Sequence, residues 1–290
     1  MNIAATPKAQ TPKIVEKVPM KKKLYIAALI LFSVIFAVSA FFLIRYYVQI
    51  NKSQKAYEAL ADIKEQALQQ AIENALVDED GVKQEPSMVE VTDKNGEPLM
   101  VLPEYAPIYE RNKDTVGWIR IDGTNIDFPV MQRKEITDYY LYKNFDGEYS
   151  NQGAIYVREQ CDVFAPSDNL TIYGHRTNAK TMFGALQDYK KKDFWQGHQY
   201  IQFDTVSEHH TYQIISVFTI QATEDSGFHY HLFVNAENDA EFEEFVANAK
   251  RHSLYDTGVT AVPGDKLITL STCEGYGSLG RLVVVAKQVQ

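Results

Sequence analysis

Cysteine is scarce: the 290 residues hold two, Cys161 and Cys273. That excludes a disulfide scaffold, and no paired-cysteine spacing suggests a structural zinc site. A cysteine with a special task here acts alone. Basic charge is also short once the N-terminus is set aside. Residues 1–23 hold six lysines and one glutamate, so within the formal total of −9 the remaining residues carry −14. A body that acidic repels phosphate backbones, which argues against nucleic acid as a partner. Internal repeats and low-complexity segments are missing too. With 45% hydrophobic residues the chain is neither disordered nor fibrous and has ample material for a core.

One long hydrophobic run is present. Leu24 to Ile44, LYIAALILFSVIFAVSAFFLI, holds 21 residues without a charge, enough to cross a bilayer core as a helix rising about 1.5 Å per residue. Lys21, Lys22 and Lys23 precede it directly, so the positive-inside tendency keeps residues 1–23 as a cytoplasmic tail and places everything after Arg45 outside the cell. A cleavable signal peptide is the competing reading. Its apolar region runs only ~7–15 residues and ends at a small-residue site, whereas here Ser39 and Ala40 are followed by FFLIRYY. The spacing favours an uncleaved transmembrane anchor over 24–44.

Beyond the anchor, Leu60, Ile63, Ala67, Ala71 and Ala75 recur at helical spacing among Glu, Gln and Lys, which predicts a helical stalk. Residues 78–100 collect Asp78, Glu79, Asp80, Gly81, Pro86, Gly96 and Pro98, a linker composition. The expected stalk and linker therefore span 45–100, with the main domain over 101–290. That domain reads as mainly β with added helices. Eight short runs rich in strand formers are expected as strands: 118–121, 128–131, 154–157, 170–173, 200–204, 211–222, 266–273 and 281–289. Their number and turn spacing predict a barrel or sandwich. Between the sixth and seventh, Phe242, Phe245, Val246 and Ala249 fall at i, i+3, i+4 and i+7, one amphipathic helix.

The chemistry concentrates near the C-terminus. KLITLSTC ends a strand on Cys273, EGYGSLG forms a short loop, and the next strand begins at Arg281. Antiparallel pairing across so short a loop brings thiol and guanidinium together. A free thiol, with a pKa of about 8.5, is mostly protonated at neutral pH, so a nucleophilic cysteine needs a base or a cationic setting. Arg281 stays protonated and can only donate hydrogen bonds, to an oxyanion or a carbonyl. Among seven histidines, His175 has the best context: it follows the apolar run LTIY through Gly174, a strand exit that holds a side chain over the end of a sheet. Read singly, each residue also fits a bland role, Cys273 as a small core residue and His175 as a surface histidine. Cys161 sits in the polar loop REQCDVFAPSD and reads as incidental. His209–His210 and His229–Tyr230–His231 raise the alternative of a membrane-anchored domain that binds a ligand or metal, but adjacent histidines point to opposite faces and no ligand set is completed. They read as solvated loops.

TLSTC, the Arg of GRLVVVAK eight residues after the Cys, and YGH with its His 98 residues before it together resemble the sortases. The resemblance covers about 101–290. NKDTVGWIRIDGTNIDFPVMQ, DYYLYKNFDGEYSNQGAIYV and the helix at 239–252 are similar to class B sortases of Gram-positive bacteria in particular. It implies an eight-stranded sortase-type β-barrel and a cysteine transpeptidase needing no cofactor or metal. It further implies that Cys273 attacks the threonine carbonyl of a C-terminal sorting signal in a secreted protein, forming a thioester. His175 then serves as proton carrier and Arg281 as oxyanion stabiliser. An amine of a peptidoglycan precursor or pilin resolves the thioester, anchoring the protein at the cell surface, with hydrolysis by water as the alternative fate. The resemblance also points to substrate contacts at Thr137, Leu141, Ser271 and Glu274. It suggests a signal of Asn-Pro-x-Thr or Ser/Pro-Pro-x-Thr type, although Thr137 stands where some relatives carry Asn.

Overall fold

The computed structural model describes residues 20–75, 84–177, 180–221, 227–275 and 279–290. Most of the expected cytoplasmic tail and the acidic run Asp78, Glu79 and Asp80 lie outside the described residues. The chain forms two units, Met1–Asn51 and Lys52–Gln290. Helix α1, Met20–Asn74, runs through both. In the first unit its apolar side chains are exposed, Leu24 by 73% and Phe36 by 76%, and its most apolar window has no buried residue. Water makes such a surface costly, at roughly 25 cal/mol per Å², whereas a bilayer core accepts it.

The second unit begins well upstream of the boundary expected near residue 100. Tyr57 and Leu60 on α1 belong to its hydrophobic core. The Tyr57 ring meets Phe128 edge to face at 5.3 Å, and its hydroxyl donates to Gly153 O at 3.2 Å. The stretch expected as a linker contains β1 (Val89–Thr92) and β2 (Pro98–Val101), paired as a hairpin with Val89 opposite Val101. Val91 and Val101 are buried, and strands of four residues each are too short to stand out from turn-rich neighbours. Helix α2, Ala106–Arg111, follows.

Eight further strands close a barrel: β3 (Thr115–Arg120), β4 (Asp127–Met131), β5 (Ile155–Val157), β6 (Asn169–Tyr173), β7 (Tyr200–Thr205), β8 (Thr211–Gln221), β9 (Leu267–Cys273) and β10 (Gly280–Gln288), in the order β10-β8-β7-β3-β4-β5-β6-β9. Each expected strand is present. The β4–β5 and β6–β9 pairs are parallel. A short helix, α3, spans Lys192–Gly197. Helix α4, Asp239–His252, lies between β8 and β9 and buries Phe242, Phe245, Val246 and Ala249. Its start is capped by the Asn238 side chain, which accepts from Glu241 N. Lys250, Arg251 and His252 in its last turn complement the helix dipole.

The two faces of β10 serve different cores. Leu282, Val284 and Ala286 point into the barrel, whereas Val283 and Val285 join the α4 cluster. This is the period-two alternation of a strand. Arg281 shares parity with Val283, so it lies on the outer, α4-bearing face. That parity, set by burial on both sides, fixes where the polar end of the strand must point.

Candidate active site

Cys273 and Arg281 are direct partners in the antiparallel β9–β10 register. Side chains directly opposite on one face have Cβ atoms about 4.5–5.5 Å apart, so the pairing sets the two side chains out from neighbouring points on one face, with Arg281 Nη1 donating to Gly280 O at 3.1 Å. The register continues past Cys273 through Glu274 N donating to Gly280 O at 2.9 Å. From the other side the Gln187 amide donates to Cys273 O at 3.2 Å. The Cys273 backbone is thus held by two elements.

His175 arrives on β6, the strand parallel to β9. Tyr173 pairs with Ser271, and Gly174 N donates to Ser271 O at 3.2 Å, so the exit of β6 is pinned two residues before the cysteine. A Cβ on Gly174 would lie 2.5 Å from Ile155 and 2.7 Å from Phe183, which makes glycine the residue that fits. The His175 ring sits 5.5 Å from Tyr142, and its Nε2 is 2.7 Å from Leu141 O. A carbonyl only accepts, so Nε2 carries the proton of that bond and Nδ1 is the nitrogen left to exchange one. Leu141 lies in a 3₁₀ turn, Tyr139–Tyr142, whose carbonyls approach Gly153 so closely that any Cβ there would collide with Leu141 O. Gly153 also has φ +59°, a region that glycine enters freely.

A cleft of about 280 Å³ contains Cys273, His175 and Arg281 together, along with Leu141 and Ser271. Two other expected contacts are placed differently. Glu274 is not among the residues lining the cleft and pairs with Lys190 at 3.2 Å. Thr137 hydrogen-bonds Glu159, while its neighbour Asp138 lines the cleft. The Ser271 hydroxyl, in turn, is 2.8 Å from the Tyr230 hydroxyl.

Sequence reasoning missed Asp138, Tyr156, Tyr173, Tyr230 and His231 as lining residues, besides Gly174 and Thr272, which adjoin expected ones. His229–Tyr230–His231 read as a solvated loop, yet Tyr230 is buried, and the long β8–β9 connection carries His231 into the cleft. Burial, followed by the charges of Arg158, His229 and Arg281, pushes the His231 imidazole below its ordinary value, so it favours the neutral form. Burial pushes the Tyr230 phenol up. The signal available was the aromatic pattern FHYHLF, too dense in large apolar residues for a loop exposed throughout.

Two other sequence features resolve as structural. Cys161 is 1% exposed, with its thiol directed at Asn169 O at 3.5 Å, and burial pushes its pKa up. His209 is flanked by carboxylates, Asp204 at 2.9 Å and Glu104 at 3.3 Å. The hydrogen bond to Asp204 holds its imidazole above the ordinary value.

Comparison with known proteins adds independent findings. The family model described as a sortase domain matches residues 119–289. Sortase B of Staphylococcus aureus is 33% identical over 192 residues, covering 66% of this chain and 76% of that protein. Sortase B of Listeria monocytogenes is 32% identical over 200 residues, covering 68% and 78%. Among solved structures, a Staphylococcus aureus sortase B–substrate complex superposes with a TM-score of 0.68 at 26% identity, covering 84% of this chain and 99% of that one.

Proposed function

This chain belongs to the sortase family, among its class B members, and is a cysteine transpeptidase; from that premise we propose that Cys273, His175 and Arg281 cleave a C-terminal sorting signal after threonine and transfer the new acyl group to an amine of the cell wall or of a pilin. The observation that carries this reading is the pairing of Cys273 with Arg281 on one strand face, with His175 in the same cleft.

The geometry suggests the order of events. His175 Nδ1 takes the thiol proton, because Nε2 is committed to Leu141 O. The Cys273 thiolate adds to the threonine carbonyl, and Arg281 donates hydrogen bonds to the oxygen as charge develops there. The C–N bond breaks, the leaving amine takes the proton from Nδ1, and a thioester remains. An incoming amine then attacks the thioester carbon while Nδ1 accepts its proton. The C–S bond breaks and the thiol is restored.

The helical segment 24–44 supports a single-pass anchor. Lysines 21–23 before it favour a cytoplasmic N-terminus, which puts the catalytic unit at the cell surface beside its secreted substrates. The test uses the full chain in detergent micelles, a peptide carrying a Pro-x-Thr signal, and triglycine. A ligated peptide and a Cys273-linked acyl-enzyme seen by mass spectrometry are expected. Free acid alone at saturating amine would instead identify a hydrolase.

A further inference from the structure

The cleft carries charge of both signs, and its negative group has no role in the scheme above. Asp138 lines it at φ +52°, ψ +29°, a left-handed conformation unusual for a residue with a Cβ. The Tyr156 hydroxyl donates to Asp138 Oδ1 at 2.8 Å. An ionised carboxylate keeps acceptor capacity beyond one such bond. The two charges act on different aromatic neighbours: that of Asp138 is felt at Tyr156 and Tyr173, that of Arg281 at Tyr230 and His231. The cleft is therefore anionic at the Asp138–Tyr156 pair, with Arg158 offsetting that charge toward Tyr173, and cationic on the Arg281 side.

Asp138 is also tied to the proton carrier. Leu141 N donates to Asp138 O at 3.0 Å, and the carbonyl of that same Leu141 holds His175 Nε2. One tight turn thus presents both the carboxylate and the anchor of the imidazole. The substrate that needs both is the acceptor. In water an α-amine, with a pKa of about 7.7–8.0, is largely ammonium near neutral pH, so it must first bind as a cation and then lose a proton before it can attack. The signal peptide has no such requirement at its threonine.

We propose that Asp138, braced by Tyr156 on the turn that anchors His175, is the docking carboxylate for the ammonium form of the acceptor amine. This rests on the transpeptidase reading and adds the group that selects a cationic acceptor over water. The ammonium exchanges part of its hydration for a charge-assisted hydrogen bond to Asp138 and gives its first proton to water; the neutral amine then attacks the thioester carbon and passes its second proton to His175 Nδ1, which hands it to the departing Cys273 thiolate.

Asp138→Asn isolates the charge, because asparagine tolerates the left-handed backbone and keeps an oxygen to accept from Tyr156. In the full chain, the KM for triglycine is expected to rise about tenfold, with the KM for signal peptide and the rate of acyl-enzyme formation within about twofold of wild type. Hydroxylamine, uncharged near neutral pH, should be used equally well by both proteins. Added salt should raise the triglycine KM of the wild type and not of the variant. Tyr156→Phe, which releases the carboxylate, should give a smaller rise, about threefold. Calorimetric titration of triglycine without signal peptide separates docking from chemistry: binding weakened in Asp138→Asn supports the assignment even if no ligated product forms. Equal triglycine binding by both proteins, or a rise confined to the signal-peptide KM, overturns it.

Discussion

The loop around Cys161 and the strand end around Cys273 hold the same side chain in opposite settings. Cys161 is sealed among apolar neighbours, its thiol turned to a backbone carbonyl. The neutral form is favoured there because the hydration a thiolate would lose outweighs what the Thr171 backbone and the Arg158 charge would give it. Cys273 is half-buried at a cleft wall with an arginine across the strand pair. The barrel supplies both environments, and the difference between them is register: the β9–β10 ladder ends on a cation at the position where the chain leaves the core. What faces each cysteine, not its neighbours in sequence, makes the two settings differ.

Substitution breaks the comparison most sharply. Cys273→Ala should remove acyl transfer to the limit of detection, while Cys161→Ala should retain activity within about twofold, as read by ligated product. Comparable losses in both would mean that the environments were misjudged. Next in size, Arg281→Ala should lower kcat about 10²–10³-fold with the fold intact, and His175→Ala about 10²–10⁴-fold. Stopped-flow detection of the acyl-enzyme checks both.

A smaller effect is expected from the supports of the site. Gly153→Ala forces a Cβ against Leu141 O and a left-handed backbone, costing roughly 1–3 kcal/mol. Because Leu141 O anchors His175, kcat should fall as well, by about tenfold. A thermal melt and a kcat measurement test the two losses together, and a melt shift without a kinetic change would detach the turn from catalysis.

The smallest effect concerns pH. Cys161 has its pKa raised in the folded state, so its contribution to stability is complete below the unfolded-state value of about 8.5 and is lost as pH rises through the folded value. Denaturation midpoints of wild type should therefore decline more steeply above about pH 8.5 than those of Cys161→Ala, by up to about 1.4 kcal/mol per pH unit for one proton. Parallel slopes would show that the thiol ionises equally in both states.

Local pattern carried much of this protein. The eight barrel strands and α4 were legible because each buries a face at its own period, two for the strands and 3.6 for the helix, and both periods are written in consecutive residues. The uncharged run before Arg45 was legible by its length and its lack of charge, without any period. Cys273 and Arg281 could be joined because a short loop between two strands leaves one simple pairing. The hairpin at 89–101 was hidden because its strands are only four residues long and are joined through the turn residues Asp93, Asn95 and Gly96, and the burial of Val91 and Val101 depends on the core they meet.

What sequence by itself determined is the set of elements, the apolar N-terminal helix, and the strand exits bearing Cys273, His175 and Arg281. Only the tertiary structure decided which residues stand opposite them. Parallel pairing of β6 with β9 set His175 beside the strand that bears Cys273. The long β8–β9 connection brought Tyr230 and His231 to the cleft, and a left-handed turn placed Asp138, rather than Thr137, along its wall. The physical reason is range: periodicity is enforced by contacts within a few residues, whereas the cleft depends on contacts between segments up to a hundred residues apart, whose register is set by how the whole barrel packs.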